Sequence, residues 1–187
     1  MVTDVSDEIL IERIAGGDRA AMRTLYARHS TRVLRFLIRL VRDQSRAEDL
    51  MSDAFFDVWR QASRFEGRSS VSTWILSIAR FKALSAMRKP AERELEPEIA
   101  EAVEDYADTP EVTIQKASKA TALRRCLEKL SAEHREVVDL VYYHERNVEE
   151  ASQILGVPAA TVKTRMFYAR KRLAELMAAA GLERGWP

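Results

Sequence analysis

A run of basic side chains near the C-terminus has the composition of a surface that binds nucleic acid. The stretch from Ala151 to Ala174 contains no acid, although the 187-residue chain carries a net charge of only +1. Within and just after it, apolar residues recur at steps of four, three, four and three: Val162, Met166, Ala169, Leu173 and Leu176. One buried stripe with cations around it predicts an amphipathic helix whose outer face can contact phosphates.

A shorter helix is predicted just before the basic one. Asn147 and Glu150 have the spacing of a capping box, and Gly156 suits the positive φ that often ends a helix. Pro158 suits the first turn of the next helix. A helix, a glycine turn and a basic helix are the parts of a helix-turn-helix, whose second helix enters the major groove of DNA. An ordinary helical hairpin with a solvated basic face remains the alternative.

A second stretch without acids, Gly67 to Pro90, combines basic residues with Trp74 and Phe81. Cations hold a nucleic-acid backbone, and aromatic rings stack on unpaired bases, so this composition suits single-stranded nucleic acid. The alternative is that Trp74 belongs to the core and that the basic residues are merely solvated. Phe65 to Ser70, just before this helix, has the composition of a turn.

An acidic helix face precedes that turn. Apolar residues recur at helical spacing on one face of this helix. The other face carries four acids: Glu48, Asp49, Asp53 and Asp57. An acidic face is usually just solvated, but it is also a candidate docking surface for a basic partner.

The elements that position these residues are all predicted to be helices. Capping residues indicate where the helices start. The first is predicted over Asp7–Ala15 after Ser6, and the second from Asp18 to Val41. The third begins at a Ser45–Glu48 capping box, and the fourth covers Val71–Lys89, after Ser70 and before Pro90. Further helices are predicted from Thr109 and Pro110 to Leu130, and after Ser131. No strand pattern occurs, so the fold class is all-α.

The segment from Ala91 to Glu111 separates the two helical halves. It has nine acids against one base, two prolines and almost no periodicity. Self-repulsion favours a flexible or extended linker. It is either a simple tether or a negative segment that occupies a basic channel in a partner.

The remaining composition argues against an enzyme. There is no P-loop, Rossmann fingerprint or nucleophile elbow. His29, His134 and His144 are too scattered for a metal motif, and we interpret them as ordinary surface or helix-end residues. Cys126 is the single cysteine, so an internal disulfide is excluded and a reducing compartment is expected. With no signal peptide and no apolar run of membrane-spanning length, we expect a cytoplasmic protein without catalytic residues, metal or cofactor.

Together these segments resemble the extracytoplasmic function (ECF) group of bacterial sigma factors, the smallest members of the sigma-70 family. The N-terminal resemblance lies in RAEDLMSDAFFDVWRQASRF and SSVSTWILSIAR, and the C-terminal one in LEKLSAEHREVVDLVYYHERNVEEASQILGVPAATVKTRMFYARKRL. It covers roughly residues 7–89 and 112–177. It implies a sigma region 2-like domain over residues 1–90, the acidic linker over 91–111 and a region 4-like helix-turn-helix domain over 112–187.

The resemblance implies a function in transcription initiation. Such proteins bind core RNA polymerase, and the holoenzyme recognises promoter DNA at its −35 and −10 elements. Family members are commonly held inactive by an anti-sigma factor, so such a partner is expected here, and the linker resembles the segment that runs toward the polymerase active channel. The acidic face, Glu48, Asp49, Asp53 and Asp57, aligns with the surface that binds the polymerase.

The resemblance also assigns two DNA-binding sets. Contacts to the −35 element are expected from Thr161, Lys163, Thr164, Arg165, Tyr168, Arg170, Lys171 and Arg172, the N-terminal ones to base edges and the arginines and Lys171 to phosphates. Contacts to the −10 element are expected from Phe65, Arg68, Ser69, Trp74, Arg80, Phe81, Lys82, Ser85 and Arg88. Phe81 and Ser85 stand where the family usually has Asn and Asp, so Phe81 either stacks on a base or reflects a change in packing.

Two other classes of protein share parts of this pattern. A sigma mimic would bind an anti-sigma factor and never contact promoters, but such mimics usually carry a receiver domain and need no basic recognition helix. A dimeric helix-turn-helix repressor would need a dimerisation face or a ligand pocket, and the N-terminal half offers neither obviously. The acid-free stretch Ala151–Ala174 argues against the mimic.

Overall fold

The computed structural model describes residues 5–88 and 121–181, and within these ranges every regular element is a helix. The all-α fold class is therefore confirmed. The chain divides into two compact units. The linker over residues 91–111, the helix start at Thr109 and Pro110 and the helix stop at Pro90 lie outside the described residues.

The first unit contains four helices. They are α1 (Asp7–Ala15), α2 (Arg19–Val41), α3 (Gln44–Gln61), which continues into a 3₁₀ turn (Ala62–Arg64), and α4 (Val71–Arg88). The second unit, whose described residues are 121–152 and 157–181, begins with α5 over residues 121–128. The helices that follow are α6 (Ala132–Val138), which continues into a π-helical segment (Asp139–Tyr143), α7 (Val148–Leu155) and α8 (Ala159–Ala179).

The core of the first unit is organised around α2, which packs against α1, α3 and α4. Leu25, Phe36 and Leu37 of α2 are fully buried, as are Val58 of α3 and Ile75 of α4. Complete burial of one such side chain contributes roughly 1.5–3 kcal/mol. The four helices therefore stabilise one another through their apolar stripes.

The helix caps mostly lie where the sequence predicts them. The Ser6 hydroxyl accepts a hydrogen bond from the backbone N–H of Ile9, and one Asp18 carboxylate oxygen accepts from Ala20 and Ala21. The predicted Ser45–Glu48 capping box is wrong, because α3 begins earlier. Asp43 is its cap, and its carboxylate accepts from the N–H of Arg46 at 2.9 Å.

Two histidines are buried. His29 lies inside α2, which corrects the prediction that all three lie at the surface or at helix ends, whereas His144 does lie at a helix end, directly after the π-helical segment. His29 of α2 contacts Asp7 at the start of α1, with 2.7 Å between Nε2 and a carboxylate oxygen. His144 is 2% exposed, and its Nε2 lies 3.3 Å from Asp139. The contact of His29 therefore joins α2 to α1. Cys126 is also buried.

No helix within residues 5–88 and 121–181 is long and apolar enough to cross a membrane.

Asp18 makes the stability of the first unit depend on pH. Hydrogen bonds from the backbone of Ala21 and from the Arg13 side chain lower the pKa of this carboxyl group. A group whose pKa is lowered by folding stabilises the fold above its unfolded pKa, about 3.9, and loses that contribution as pH falls through the folded value. We expect Asp18→Asn, which retains a capping oxygen, to unfold at a lower temperature than wild type at pH 7.

The difference should shrink as pH falls below about 4. Tryptophan fluorescence reports the unfolding, because Trp59 and Trp74 both lie in the first unit. Glu128→Gln, which neutralises an exposed acid of the second unit, controls for net charge. An equal deficit of Asp18→Asn at pH 7 and pH 3 would contradict this role.

Candidate nucleic-acid interface

The turn between α7 and α8 has the predicted hairpin geometry. Asn147 and Glu150 form a reciprocal capping box: the N–H of Glu150 donates to the Asn147 side chain at 2.8 Å, and the N–H of Asn147 donates to Glu150 Oε2 at 3.1 Å. Gly156 has φ +65°, as predicted for the residue that ends α7. The Ser152 hydroxyl donates to the Val157 carbonyl at 2.6 Å, which fixes the turn.

Pro158 differs slightly from its predicted position. It lies directly before α8 instead of inside the first turn. Its carbonyl accepts from the N–H groups of Thr161 and Val162 at 2.9 and 3.1 Å, so it begins the hydrogen-bond ladder of the helix. The first N–H groups of a helix have no partner within the helix, so a proline at this position removes no hydrogen bond.

The α8 helix has one buried and one exposed face. The predicted stripe residues Val162, Met166, Ala169 and Leu173 are buried. Of the eight residues expected at the −35 element, six are exposed and two, Thr161 and Arg165, are half-buried; the exposed ones are Lys163, Thr164, Tyr168, Arg170, Lys171 and Arg172. The exposed residues therefore lie on the side of α8 that faces away from its buried stripe.

All three arginines on α8 have partners within the protein. Arg165 forms an ion pair of 2.8 Å with Glu133 of α6, and its side chain is only 19% exposed. Arg170 donates from Nε to the Tyr142 hydroxyl at 2.9 Å, and Arg172 pairs with Glu175 at 3.0 Å. In the described part of the chain, no ion pair involves Lys163 or Lys171.

Phe167 is a surface residue that the sequence reasoning missed. It is 65% exposed and lies four residues from both Lys163 and Lys171, so it occupies the outer face of α8 between the two lysines. Its ring contacts the Tyr168 ring edge-to-face, with 5.4 Å between the centroids. The signal was present in the sequence, because Phe167 falls outside the apolar stripe.

The turn before α4 is held by its own side chains. The Phe65 ring lies against Trp74, with 5.0 Å between the centroids and a tilt of 48°. Gly67 has φ +68°, and Arg68 pairs with Glu66. Ser70 caps α4 by accepting from the N–H of Thr73 at 3.2 Å, as predicted.

The residues expected at the −10 element divide by exposure. Phe81 and Arg88 of α4 and Arg68 of the turn are exposed, whereas Phe65, Ser69, Trp74, Arg80, Lys82 and Ser85 are half-buried. Lys82 forms an ion pair of 2.7 Å with Asp57 of α3. The predictions placed these two residues on different binding surfaces, but they contact each other.

The acidic face of α3 keeps three of its four acids exposed. Glu48, Asp49 and Asp53 point to solvent, whereas Asp57 is half-buried against Lys82. An exposed ring, Phe56, lies three residues after Asp53, and the Arg60 guanidinium lies 5.8 Å from its centroid. The surface therefore combines negative charge with one apolar side chain, a composition that fits a basic, partly apolar partner. Within the described ranges, no group of three or more potential metal ligands occurs.

Two family models match the two units. Sigma-70 region 2 matches residues 25–93, and sigma-70 region 4 matches residues 126–175. The ECF RNA polymerase sigma factor SigK of Mycobacterium bovis is 30% identical over 164 residues, which cover 85% of this chain and 87% of the relative. The RNA polymerase sigma-H factor of Pseudomonas aeruginosa is 26% identical over 182 residues, which cover 92% of this chain and 94% of the relative.

Solved structures show the same architecture. The sigma factor RpoE of Bartonella quintana, solved with the anti-sigma factor NepR, is 25% identical and has a TM-score of 0.67. The match covers 83% of this chain and 96% of that structure.

The ion pair between Arg165 and Glu133 predicts different roles for two neighbouring cations. Arg165→Ala should destabilise the second unit by about 1 kcal/mol, because it removes the ion pair and the packing of a largely buried side chain. Lys163→Ala should stay within about 0.5 kcal/mol of wild type, since the side chain is exposed. Amide hydrogen exchange of α8 measures both changes. Equal protection in the two variants would mean that the ion pair contributes nothing to the fold.

Proposed function

The chain belongs to the ECF group of the sigma-70 family, and on this basis we propose that it directs core RNA polymerase to specific promoters and assists promoter opening. The observation that carries the proposal is the presence, on one chain, of a glycine-turn helix pair with a basic outer face and a helical unit with an acidic one. The basic face suits DNA, and the acidic face suits a protein.

The outer face of α8 would recognise the −35 element as duplex DNA. Lys163 and Thr164 lie near the helix start, where base edges are contacted in a helix-turn-helix. Phe167 adds an apolar contact suited to a thymine methyl group, and Tyr168 lies beside it. Lys171 and the exposed arginines Arg170 and Arg172 would contact phosphates.

Arg165 differs from Arg172, whose ion-pair partner Glu175 lies on α8 itself, because the guanidinium of Arg165 is largely buried and bonded to Glu133 of α6. In the proposed complex it would act first by fixing α8 against α6 and only secondarily by contacting DNA. Its loss would then weaken DNA binding by displacing the helix.

The turn Phe65–Ser70 and α4 would hold the opened −10 element. The support is the absence of acids from Gly67 to Arg88 together with aromatic rings on the helix and the turn. Charge and stacking are the two interactions that bind unpaired strands. Because Lys82 of α4 forms an ion pair with Asp57 of α3, this pair would help to hold the two helices together.

Glu48, Asp49 and Asp53 would dock on core polymerase, with Phe56 as an apolar contact beside Asp53. We further propose the domain boundaries 1–90, 91–111 and 112–187, the regulation of this chain by an anti-sigma factor, and a cytoplasmic location beside the polymerase. The support for an anti-sigma partner is the 25% identical relative that was solved with one. The protein itself would contribute no catalytic residue, because the polymerase performs the chemistry.

The proposal is tested by reconstitution. Purified protein is added to bacterial core polymerase, and a pool of randomised upstream DNA is transcribed to select the sequences that support specific initiation. We expect two enriched elements at separate positions. Operator binding without polymerase would instead support a repressor, and binding to an anti-sigma factor alone would support a sigma mimic.

On the selected promoter, Lys163→Ala should reduce run-off transcription about tenfold, because one base-edge contact is typically worth 1–3 kcal/mol. Arg165→Ala should also reduce it. Lys129→Ala, which removes an exposed lysine outside α8, is the matched control and should leave the yield unchanged. If neither Lys163→Ala nor Arg165→Ala alters transcription, α8 does not recognise the −35 element.

Charge reversal on α3 tests the docking surface. Asp53→Lys should weaken binding to core polymerase by at least about tenfold, because it places like charges at a contact with a basic partner. Glu8→Lys introduces the same charge change at an exposed position of α1 and should bind normally. Fluorescence anisotropy of labelled protein titrated with core polymerase measures both affinities, and wild-type affinity of Asp53→Lys would refute the assignment.

A further inference from the structure

The outer face of α4 presents one ring to solvent. Phe81 is 68% exposed, more than any other large apolar side chain in the described ranges. A single exposed phenylalanine needs no explanation by itself, since much of any protein surface is apolar. The side chains around Phe81 are what distinguish it.

The neighbours of Phe81 leave the ring open. Residues three and four positions away on a helix share its face, and here they are Ser77, Ile78, Leu84 and Ser85. None is charged, and all four are half-buried. The Ser77 hydroxyl donates to the Thr73 carbonyl at 2.9 Å, so it is directed toward its own helix. A flat molecule could therefore lie against the Phe81 ring without displacing another side chain.

Trp74 and Arg88 lie on the same line of the helix. Each is seven residues from Phe81, which corresponds to about 10 Å along the axis and about 20° around it. The two aromatic residues nevertheless differ. The Trp74 ring is half-buried and packs against Phe65 at 5.0 Å, so it supports the turn before α4, whereas Phe81 is open. Arg88, exposed at the far end of the line, supplies a cation for a phosphate.

The local charge favours an anionic strand. No acid occurs from Gly67 to Arg88, and Asp57, an acid of α3 that contacts α4, is neutralised by Lys82 at 2.7 Å. A protein partner with an apolar anchor would favour a broad apolar patch, but here one ring stands among small hydroxyl groups and half-buried aliphatic side chains. An unpaired base fits this surface better.

We infer that Phe81 stacks on one unpaired base of the −10 element and accepts any of the four bases there; the inference rests on the proposed function. Every base has a π face, so stacking supplies affinity without distinguishing sequence. A phenyl ring has no hydrogen-bonding group and cannot recognise a base edge. Phe81 thus binds the base at one position of the opened strand without distinguishing which base it is.

The test uses reconstituted holoenzyme and a fork-junction DNA that carries the single-stranded −10 segment of the selected promoter. Phe81→Ala and Phe81→Leu should each weaken binding by about fivefold or more, because leucine retains apolar area but lacks a π face. Phe81→Trp should bind at least as well as wild type. Met87→Ala, which truncates another exposed apolar side chain of α4 on a different face, should bind normally.

An abasic scan then locates the stacked base. One abasic site is placed at each −10 position in turn, and at one position Phe81→Ala should no longer weaken binding, since no base remains to be stacked. At that position the four bases should support binding within about twofold for wild type. Phe81→Asn should discriminate among them there, because an amide can bond to base edges.

Three results would overturn the inference: wild-type binding by Phe81→Leu, no coupled position in the scan, or a strong base preference at the coupled position. A defect of Phe81→Ala confined to binding of core polymerase or another protein would assign the ring to a protein partner. These results differ from failure of the proposed function, in which the wild-type holoenzyme would initiate at no specific site.

Discussion

Each helix of this protein can bury only one face, and this constraint determines where everything else lies. The apolar stripe of α2 is shared by three neighbouring helices, and that of α8 is enclosed by the second unit. A helix that has committed one face to the core has only the opposite face for binding. The acidic set on α3, the open ring on α4 and the lysines on α8 are therefore found opposite buried stripes.

The same constraint explains what could be predicted from the sequence. Stripes and caps are local patterns, so the positions of α1 and α2, the capping box at Asn147 and the turn at Gly156 were all predictable. The start of α3 was not, because Asp43 and Ser45 can both cap a helix and only the fold shows which carboxylate or hydroxyl reaches the free N–H. The burial of His29 depends on Asp7, which is 22 residues away. Sequence spacing does not reveal such a contact.

The sequence predicted which residues make up the candidate surfaces. It did not predict which of their charged groups form ion pairs within the protein. Counting basic residues treats Lys82, Arg165 and Lys163 alike, yet the first two form ion pairs within a unit and Lys163 forms none in the described part of the chain. The paired cations join helices, and their net field is reduced by their partners. A side chain that joins two helices also keeps the exposed residues nearby in a fixed orientation, so its effect on binding is indirect.

The π-helical segment Asp139–Tyr143 adds a constraint on chain length. Its hydrogen bond from His144 to the Asp139 carbonyl encloses one residue more than an α-helical turn. Deletion of a single residue could restore a regular helix, but everything after it would rotate by about 100° relative to what precedes it. Tyr142 would then leave Arg170, and His144 would leave the core. Insertions and deletions at this point would therefore be disfavoured, even where they make the local helix more regular. The irregular segment would be retained because the packing of α8 depends on this register.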